Sequence, residues 1–398
     1  MNSKTFSVFD EQLELLRQKD LYRTLRVLKD RGPVRAFYEG REIMLFCGND
    51  YLGLSHHPRV IAALKKAADH YGVGSGAARL ISGTSLPHAR LEEKIARFKN
   101  KEAALLYTAG YLANIGVLTA LAGKNDLMVM DKLCHASLID GARLSGAQVR
   151  VFPHKNYTRC EEILENSSGA GQKIIVSDTV FSMDGDFADL AALIRLKKKY
   201  AGLLIVDDAH GTGVAGASGR GATEGYEADI DVIMGTLSKA LGTVGGFAAT
   251  SQMIREMLIN VSRPFIFATS LPPALCAAAH ESLCMLEDTS ELREKLGRNV
   301  QALREGLGRL GGKIPETVFP ILPLVIGPER EAVQAAEALL KEGFLIPAIR
   351  TPSVPKGKAR LRVTVSAAHE IKDIERLLHA LNAKGTRFLR HPEEPGTL

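Results

Sequence analysis

A single lysine, Lys239, stands where a predicted strand meets a glycine-rich loop. It lies in the segment Gly235-Thr-Leu-Ser-Lys-Ala-Leu-Gly-Thr-Val-Gly-Gly246, directly after the apolar run 231–234. Enzymes of the α/β class place their chemistry at strand ends. Burial against small neighbours would disfavour the charged ammonium and free the amine to attack carbonyl groups. The segment alone is equally compatible with a Schiff-base lysine and with a surface lysine on a flexible turn.

Two carboxylates and an imidazole follow another predicted strand. The chain reads Leu-Leu-Ile-Val-Asp-Asp-Ala-His from residue 203, so Asp207, Asp208 and His210 stand at the carboxyl end of a buried run. Such groups are costly to bury without partners. They indicate a ligand with a basic nitrogen, a metal, or a mutual hydrogen-bonded network.

A glycine pattern comes next and matches the dinucleotide-binding fingerprint at Gly211, Gly213 and Gly216. That fingerprint must open a helix, whereas further glycines within ten residues of Gly216 would break one. The match therefore supports a nicotinamide dehydrogenase only weakly.

A possible phosphate site lies in the segment Tyr107-Thr-Ala-Gly-Tyr-Leu-Ala-Asn114, between an apolar strand and a helical pattern. A helix N-terminus offers free N–H groups and a positive dipole end, here at Gly110 and Tyr111. For this segment taken alone, an ordinary strand–helix turn is the favoured interpretation. The P-loop signature is absent from the sequence.

Four other polar residues fall at predicted strand ends or in a strand. His135 and Ser182 each follow an apolar run, and each taken singly is more often a satisfied polar residue than a ligand contact. Arg360 and Arg362 alternate along a predicted strand, so both lie on one face, where a guanidinium can hold a carboxylate in a bidentate pair.

These residues require a framework of alternating strands and helices. Residues 10–31 predict a charged helix, and a hairpin is predicted at 34–38 and 42–46. Short continuous apolar runs separated by helix-length segments indicate a mostly parallel, seven-stranded sheet covered by helices on both faces. The predicted strands of this sheet are 103–107, 127–130, 148–152, 173–176, 203–206, 231–234 and 246–250.

The fold class predicted is α/β, with three parts along the chain. An N-terminal helix and hairpin arm covers 1–49, a large α/β domain 50–288, and a small C-terminal α+β domain 289–398. Within the last part, helices are predicted at 290–310 and 330–342, strands at 321–326 and 360–365, and a loose tail from Arg390.

The bulk composition is that of an ordinary globular protein. The chain has 398 residues, 45% of them hydrophobic, and a net charge of +6 that is spread rather than clustered. We expect no nucleic-acid partner, since no basic stripe is interleaved with aromatic residues, and no membrane span, since polar residues interrupt the one long uncharged run, 103–123. The five cysteines lack metal-ligand spacing, so no metal site is expected and a reducing cytoplasm fits best.

Taken together, these segments resemble the α-oxoamine synthase family of pyridoxal 5'-phosphate (PLP) enzymes, from about Arg23 to His369. The resemblance implies the aminotransferase type I fold. It also implies that Lys239 carries the Schiff base, that Asp207 pairs with the pyridinium nitrogen, and that His210 bonds the ring oxygen.

The resemblance assigns further residues to the site. It implies that His135 stacks on the ring and contacts substrate, and that Ser182 lies beside the cofactor oxygen. The implied phosphate contacts are Gly110, Tyr111, Thr236 and, from the neighbouring subunit, Thr269. The implied substrate contacts are Arg23, Asn49, Ser353 and Arg362. Departures from the family pattern occur at Cys134, Asp178, Ala78, Ala268 and Ser353.

The implied activity is the decarboxylative condensation of L-alanine with a pimeloyl thioester, carried by coenzyme A or by acyl carrier protein, in a homodimer whose active site lies at the subunit interface. The catalytic residues implied by the resemblance are Lys239, His210 and His135. A glycine-using ligase of the same family, a non-catalytic PLP-binding protein and a nicotinamide dehydrogenase remain the alternatives.

Overall fold

The computed structural model describes residues 3–167, 169–312, 315–316 and 318–383. The chain divides into two compact units. The smaller unit falls within Met1–Asn49, Met183–Gly185 and Lys295–Leu398, and the larger unit comprises Asp50–Ser182 and Asp186–Glu294. The domain boundaries predicted from the sequence lie between residues 49 and 50 and between residues 288 and 289. The predicted tail from Arg390 lies outside the described residues.

The strands and helices are numbered here in chain order. The strands are β1 (Arg35–Tyr38), β2 (Arg41–Leu45), β3 (Ala103–Tyr107), β4 (Leu127–Asp131), β5 (Gln148–Phe152), β6 (Lys173–Asp178), β7 (Leu203–Asp207), β8 (Val232–Thr236), β9 (Gly246–Thr250), β10 (Ile321–Gly327), β11 (Phe344–Leu345), β12 (Ala348–Ile349) and β13 (Ala359–Thr364). The α-helices are α1 (Ser3–Gln18), α2 (Pro58–Tyr71), α3 (Leu86–Phe98), α4 (Gly110–Leu121), α5 (Ala136–Ser145), α6 (Tyr157–Glu165), α7 (Leu190–Lys199), α8 (Gln252–Val261), α9 (Arg263–Ile266), α10 (Pro273–Asp288), α11 (Glu291–Arg309), α12 (Glu329–Lys341) and α13 (Ile371–Ala383).

The larger unit is built on one seven-stranded sheet, in the order β3-β9-β8-β7-β6-β4-β5. Strand β9 runs antiparallel to both of its neighbours, and every other adjacent pair is parallel. All seven predicted strands are present, so the prediction of a mostly parallel sheet is confirmed. Every residue of β3, β4, β8 and β9 is buried, as expected for strands covered on both faces.

The core of the larger unit lies where α4 and α5 pack on the sheet. Its buried apolar side chains come from four helices (α4, α5, α8 and α9) and from six of the seven strands. The strands are covered on both faces, which is why their apolar runs are continuous rather than alternating. The most central members are Leu105, Val117, Leu118, Met128, Leu138, Ile174, Val176, Ile205, Val232 and Met234. This core fixes the carboxyl ends of the parallel strands at one edge of the sheet.

The smaller unit contains two three-stranded sheets, ordered β1-β2-β11 and β10-β13-β12. The predicted hairpin is present as β1 and β2, paired in antiparallel register with Arg35 opposite Met44. Strand β11 adds to β2 in parallel. This pairing explains why the N-terminal arm and the C-terminal residues belong to one unit.

The predicted helix over residues 10–31 is wrong in its bounds, since α1 covers Ser3–Gln18. Asp20 has a positive φ of 54°, which a helix cannot accommodate. Its carbonyl accepts a hydrogen bond from Arg350, and Lys29 pairs with Phe37 in an isolated bridge. These distant contacts compete with the local helical pattern and keep the segment after Gln18 extended.

The glycines that match the dinucleotide fingerprint do not open a helix. Residues 208–226, all of them described, form successive turns, and Gly213 and Gly216 have φ values of 82° and 83°. A dinucleotide-binding fingerprint requires a helix at this point, so the structure does not support the dehydrogenase interpretation. Among the described residues, no helix has the length and apolar character needed to cross a bilayer.

Candidate active site

The carboxyl end of β7 places Asp207 in a buried, hydrogen-bonded position. Its side chain is 6% exposed. Asn114 Nδ2 donates to Asp207 Oδ2 at 2.6 Å, and the backbone N–H of Ala209 donates to Oδ1 at 2.9 Å. Asn114 Nδ2 also lies 2.8 Å from the hydroxyl of Ser137. Charge-assisted bonds of this length hold a carboxylate in a single orientation.

His135 caps the N-terminus of α5 and continues the same network. Its Nδ1 lies 2.7 Å from the Ser137 hydroxyl, and its backbone N–H donates to Asp178 Oδ2 at 2.8 Å. Burial lowers the pKa of His135, the Lys239 ammonium adds to this effect, and the Asp207 carboxylate opposes it. The lowered pKa favours the neutral form of the His135 imidazole.

Asp178, at the end of β6, accepts the hydrogen bond from the backbone N–H of His135. Burial raises the pKa of Asp178 well above its usual range, and the nearby Asp207 carboxylate raises it further. Two carboxyl groups this close do not both ionise readily in a buried site.

His210 lies in the turn after β7 and contacts a tyrosine. Its Nδ1 is 2.7 Å from the hydroxyl of Tyr51, whose side chain is fully buried. A hydrogen bond at Nδ1 sets the tautomer and orientation of the ring, and therefore the role that Nε2 can play.

The start of α4 forms a backbone cradle beside the end of β8. No side chain caps this helix, so its first N–H groups remain available for an anion. A Cβ built on Gly110 would lie 3.2 Å from Thr236 Cβ, and one built on Gly246 would lie 2.6 Å from the Gly110 nitrogen. Only glycine permits this close approach of β9, α4 and Thr236.

Lys239 lies partly buried in the turn that follows β8. Its carbonyl accepts a hydrogen bond from the N–H of Gly242 at 2.9 Å. Gly242 has a φ of 67°, and a Cβ there would lie 2.3 Å from the Ser55 nitrogen. The turn is therefore packed tightly rather than loose. The electrostatic effect of Lys239 on His135 and Asp178 places its ammonium in the same site.

The remaining predicted cofactor contacts, Tyr111, Ser182 and Thr269, also belong to the larger unit. Tyr111 meets the His135 ring edge-on at 6.3 Å between centroids, and its hydroxyl hydrogen-bonds Asp140. Ser182 is partly buried in the turn after β6. Thr269 is exposed and pairs with Ala78 in an isolated bridge.

The smaller unit holds the four predicted substrate contacts. Arg362 is 7% exposed and donates to Asn49 Oδ1 at 3.2 Å. Arg23 donates to the carbonyl of Thr351 at 3.0 Å, and Ser353 is exposed in the same loop. The structure thus brings Arg362 and Asn49 into contact, and it places Arg23 against the loop that contains Ser353.

Arg360, the second arginine of the predicted pair, already has a carboxylate partner. Its guanidinium donates to Asp184 Oδ1 at 2.5 Å and to the Met183 carbonyl at 3.2 Å. Arg360 therefore tethers residues 183–185 to β13. Of the two arginines, Arg362 is the one that faces Asn49.

Sequence reasoning missed Asn114, Ser137 and Tyr51 as supporting residues. Asn114 carries a detectable signal, because it is a buried polar residue on an apolar helix one turn after Gly110. Tyr51 has no such signal, since 159 residues separate it from His210.

The chain matches the family model described as aminotransferase class I and II over residues 41–381. It is 46% identical over 374 residues to an 8-amino-7-oxononanoate synthase from Geobacter sulfurreducens, covering 93% of this chain and 96% of that protein.

Two solved structures extend the likeness to the fold. Serine palmitoyltransferase from S. paucimobilis, with a bound PLP–myriocin aldimine, superposes with a TM-score of 0.91 at 30% identity, covering 98% of this chain and 99% of that one. An 8-amino-7-oxononanoate synthase from Francisella tularensis superposes with a TM-score of 0.74 at 28% identity, covering 86% and 97%.

Proposed function

The chain belongs to the class I and II aminotransferase family, and we propose that it condenses L-alanine with a pimeloyl thioester to give 8-amino-7-oxononanoate, CO2 and the free thiol carrier. The observation that carries the proposal is a lysine, a buried carboxylate and a neutral imidazole in one site of a PLP-dependent fold. The 46% identity to a named 8-amino-7-oxononanoate synthase supports the choice of substrates.

The residues at the site fit PLP by their chemistry. The uncapped start of α4, with the room left by Gly110 and Gly246, suits a phosphate group. The Asp207 carboxylate suits a basic ring nitrogen, and Lys239 supplies the amine for the aldehyde. Bound PLP supplies an electron sink for a carbanion at the amino acid Cα.

Each residue has a defined task in this proposal. Asp207, held by Asn114, keeps a proton on the ring nitrogen of the cofactor. Lys239 would hold the cofactor through its amine, and its free amine would be the base that accepts the Cα proton of alanine. His135 packs on the ring face as a neutral imidazole. His210, oriented by Tyr51, donates to oxygen atoms where negative charge develops.

The acyl transfer step balances without an added oxidant or reductant. The Cα carbon bonds to the thioester carbonyl carbon, and the thiolate leaves with a proton. The β-keto acid formed loses CO2, which makes the condensation irreversible, and the Cα carbon then takes up a proton to give the aminoketone. In this proposal Ser182 lies beside the cofactor oxygen, and Tyr111 and Thr236 lie beside the phosphate.

The substrate contacts are proposed at four residues of the smaller unit. Arg362 with Asn49 suits a carboxylate, because a buried guanidinium binds one strongly. Arg23 and Ser353 would contact the acyl substrate. Ser353 retains a hydroxyl, so this departure from the family pattern leaves a hydrogen-bonding group in place.

We further propose a homodimer in which Thr269 reaches the phosphate of the neighbouring subunit. The acyl carrier protein is a candidate partner as the bearer of the thioester. A cytoplasmic location fits the five cysteines, all of which are free thiols.

The experiment combines two amino acids with two acyl donors. Purified protein is incubated with L-alanine or glycine and with pimeloyl-CoA or pimeloyl-acyl carrier protein, and products are identified by mass spectrometry. We expect 8-amino-7-oxononanoate from L-alanine and an absence of product with Lys239→Ala, which should also lose the visible absorption of a lysine-bound cofactor. Product from glycine alone would refute the alanine assignment and favour the glycine-using ligase.

A further inference from the structure

A buried ion pair lies on the opposite side of β7 from the proposed cofactor site. Lys99 follows the last residue of α3, and its Nζ lies 2.7 Å from Asp208 Oδ2. Both side chains are 0% exposed. Asp208 is the neighbour of Asp207, and successive residues of an extended chain point to opposite faces of the sheet.

The pair is completely hydrogen-bonded. The three ammonium protons of Lys99 are matched by Asp208 Oδ2, by Thr212 Oγ1 at 2.7 Å and by the carbonyl of Arg220. Asp208 Oδ1 accepts from the Thr179 hydroxyl at 2.5 Å and from the Ala222 N–H at 3.1 Å. The pair therefore ties α3, the residue after β6, and the turns that follow β7 to one point.

This pair explains one glycine of the dinucleotide-like pattern, Gly211, and the later Gly221. A Cβ on Gly211 would lie 2.2 Å from Asp208 Oδ1, and one on Gly221 would lie 1.7 Å from Asp208 Oδ2 and 2.7 Å from Lys99 Nζ. Gly221 also has a φ of 118°. The backbone of residues 208–222 wraps around the two charges, which leaves no space for side chains at these positions.

We propose that Lys99 is a positioning residue. Through Asp208 it fixes the end of β7 and the following turn, and it thereby holds Asp207 and His210 in position beside the cofactor. Asp207 precedes the anchored residue and its carbonyl accepts the Thr179 N–H at 2.9 Å, while His210 lies between the two anchored residues Asp208 and Thr212. A bulky hydrophobic pair would fill the same space but would not gather three chain segments by directed bonds. The proposal rests on the proposed use of PLP and not on the identity of the acyl substrate.

The test compares Lys99→Met with the double variant Lys99→Met, Asp208→Asn. Removing one charge leaves the other buried without its partner, so Lys99→Met should lower the thermal midpoint of the apoprotein. The double variant removes both charges and should recover most of that midpoint. If the pair positions the site, both variants bind PLP about 10- to 100-fold more weakly than the wild type, as outer-shell changes do elsewhere. The turnover number with L-alanine should fall while its KM stays within about twofold.

The control is Lys199→Met, which removes an exposed lysine from a pair with Glu161 at 2.8 Å. It should leave PLP affinity and turnover unchanged. A double variant that regains both thermal midpoint and PLP affinity would overturn the proposal, because the pair would then contribute stability alone.

A milder variant covers the case in which Lys99→Met does not fold. Thr179→Val keeps the side-chain volume but removes the 2.5 Å hydrogen bond to Asp208, and it should weaken PLP binding in the same direction. Wild-type PLP affinity in this variant would refute the positioning role. Failure of the wild-type protein itself to bind PLP would instead refute the proposed function.

Discussion

Adjacent carboxylates at the end of β7 have different surroundings and therefore different roles. Asp207 accepts a side-chain amide and a backbone N–H, and these neutral donors leave it available to a positively charged ligand nitrogen. Asp208 is paired with an ammonium and has no solvent exposure. One carboxylate is thus kept for the ligand, while its neighbour is committed to the protein. The sequence Asp-Asp-Ala-His at 207–210 does not by itself distinguish the roles of the two carboxylates.

At the residue scale, Asn114→Ala should impair the site by releasing Asp207. The variant removes the 2.6 Å hydrogen bond to Asp207. Because hydrogen bonds to charged groups contribute about 1.5–3 kcal/mol, kcat/KM should fall about 10- to 100-fold. Steady-state kinetics with L-alanine measure the effect. Asn260→Ala is the matched control, because it removes a 2.8 Å bond to a carbonyl on the exposed face of α8. Equal activity of the two variants would contradict the role of Asn114.

At the scale of elements, the seven strands of the large sheet could be predicted because each is a short, continuous apolar run. Helix α1 could not be bounded from the sequence, since the carbonyl of Asp20 is fixed by Arg350, 330 residues away. The two-residue strands β11 and β12 are too short to carry a periodicity. The proposed cofactor contacts Asp207, His210 and Lys239 lie just at or after strand ends, which is why the sequence singled them out. Their supports, such as Lys99, depend on pairings across 109 residues that local patterns do not contain.

His154 forms a bridge between the end of β4 and the turn after β6. His154 Nδ1 lies 3.0 Å from Asp131 Oδ1, and its Nε2 lies 3.0 Å from Asp186 Oδ2. Burial acts to lower the pKa of His154, but hydrogen bonds to the two carboxylates outweigh it and raise the pKa to about 9. The unfolded value is about 6.5. The bridge therefore contributes its full stability below about pH 6.5, and loses it as pH rises through about 9.

His154→Gln should make the protein less stable at about pH 6.5 and nearly equal to wild type at about pH 10. The side chain is 25% exposed, so solvent screening reduces the expected difference at the lower pH to about 1–2 kcal/mol. Urea unfolding at both pH values measures it. His379→Gln, on the exposed face of α13, serves as the control. A difference between wild type and His154→Gln that does not change with pH would contradict the assignment.

At the scale of the whole molecule, the proposed dimer assigns Lys239 and Thr269 of a single active site to different subunits. The exposure of Thr269 in this chain suits a residue that serves a neighbour. Closed two-fold symmetry would repeat the exchange in both directions, so each dimer holds two composite sites.

This arrangement predicts complementation between an inactive protein, Lys239→Ala, and an impaired one, Thr269→Ala. A mixed dimer of Lys239→Ala and Thr269→Ala subunits would contain one site with both changes and one site with neither. Random mixing makes about half of the dimers mixed, so about a quarter of all sites regain wild-type composition. Activity should therefore rise towards about a quarter of the wild-type value after the two variants are unfolded and refolded together, compared with each refolded alone. If Thr269 serves its own subunit, every mixed dimer pairs one Lys239→Ala site with one Thr269→Ala site, and activity stays at the average of the separate variants.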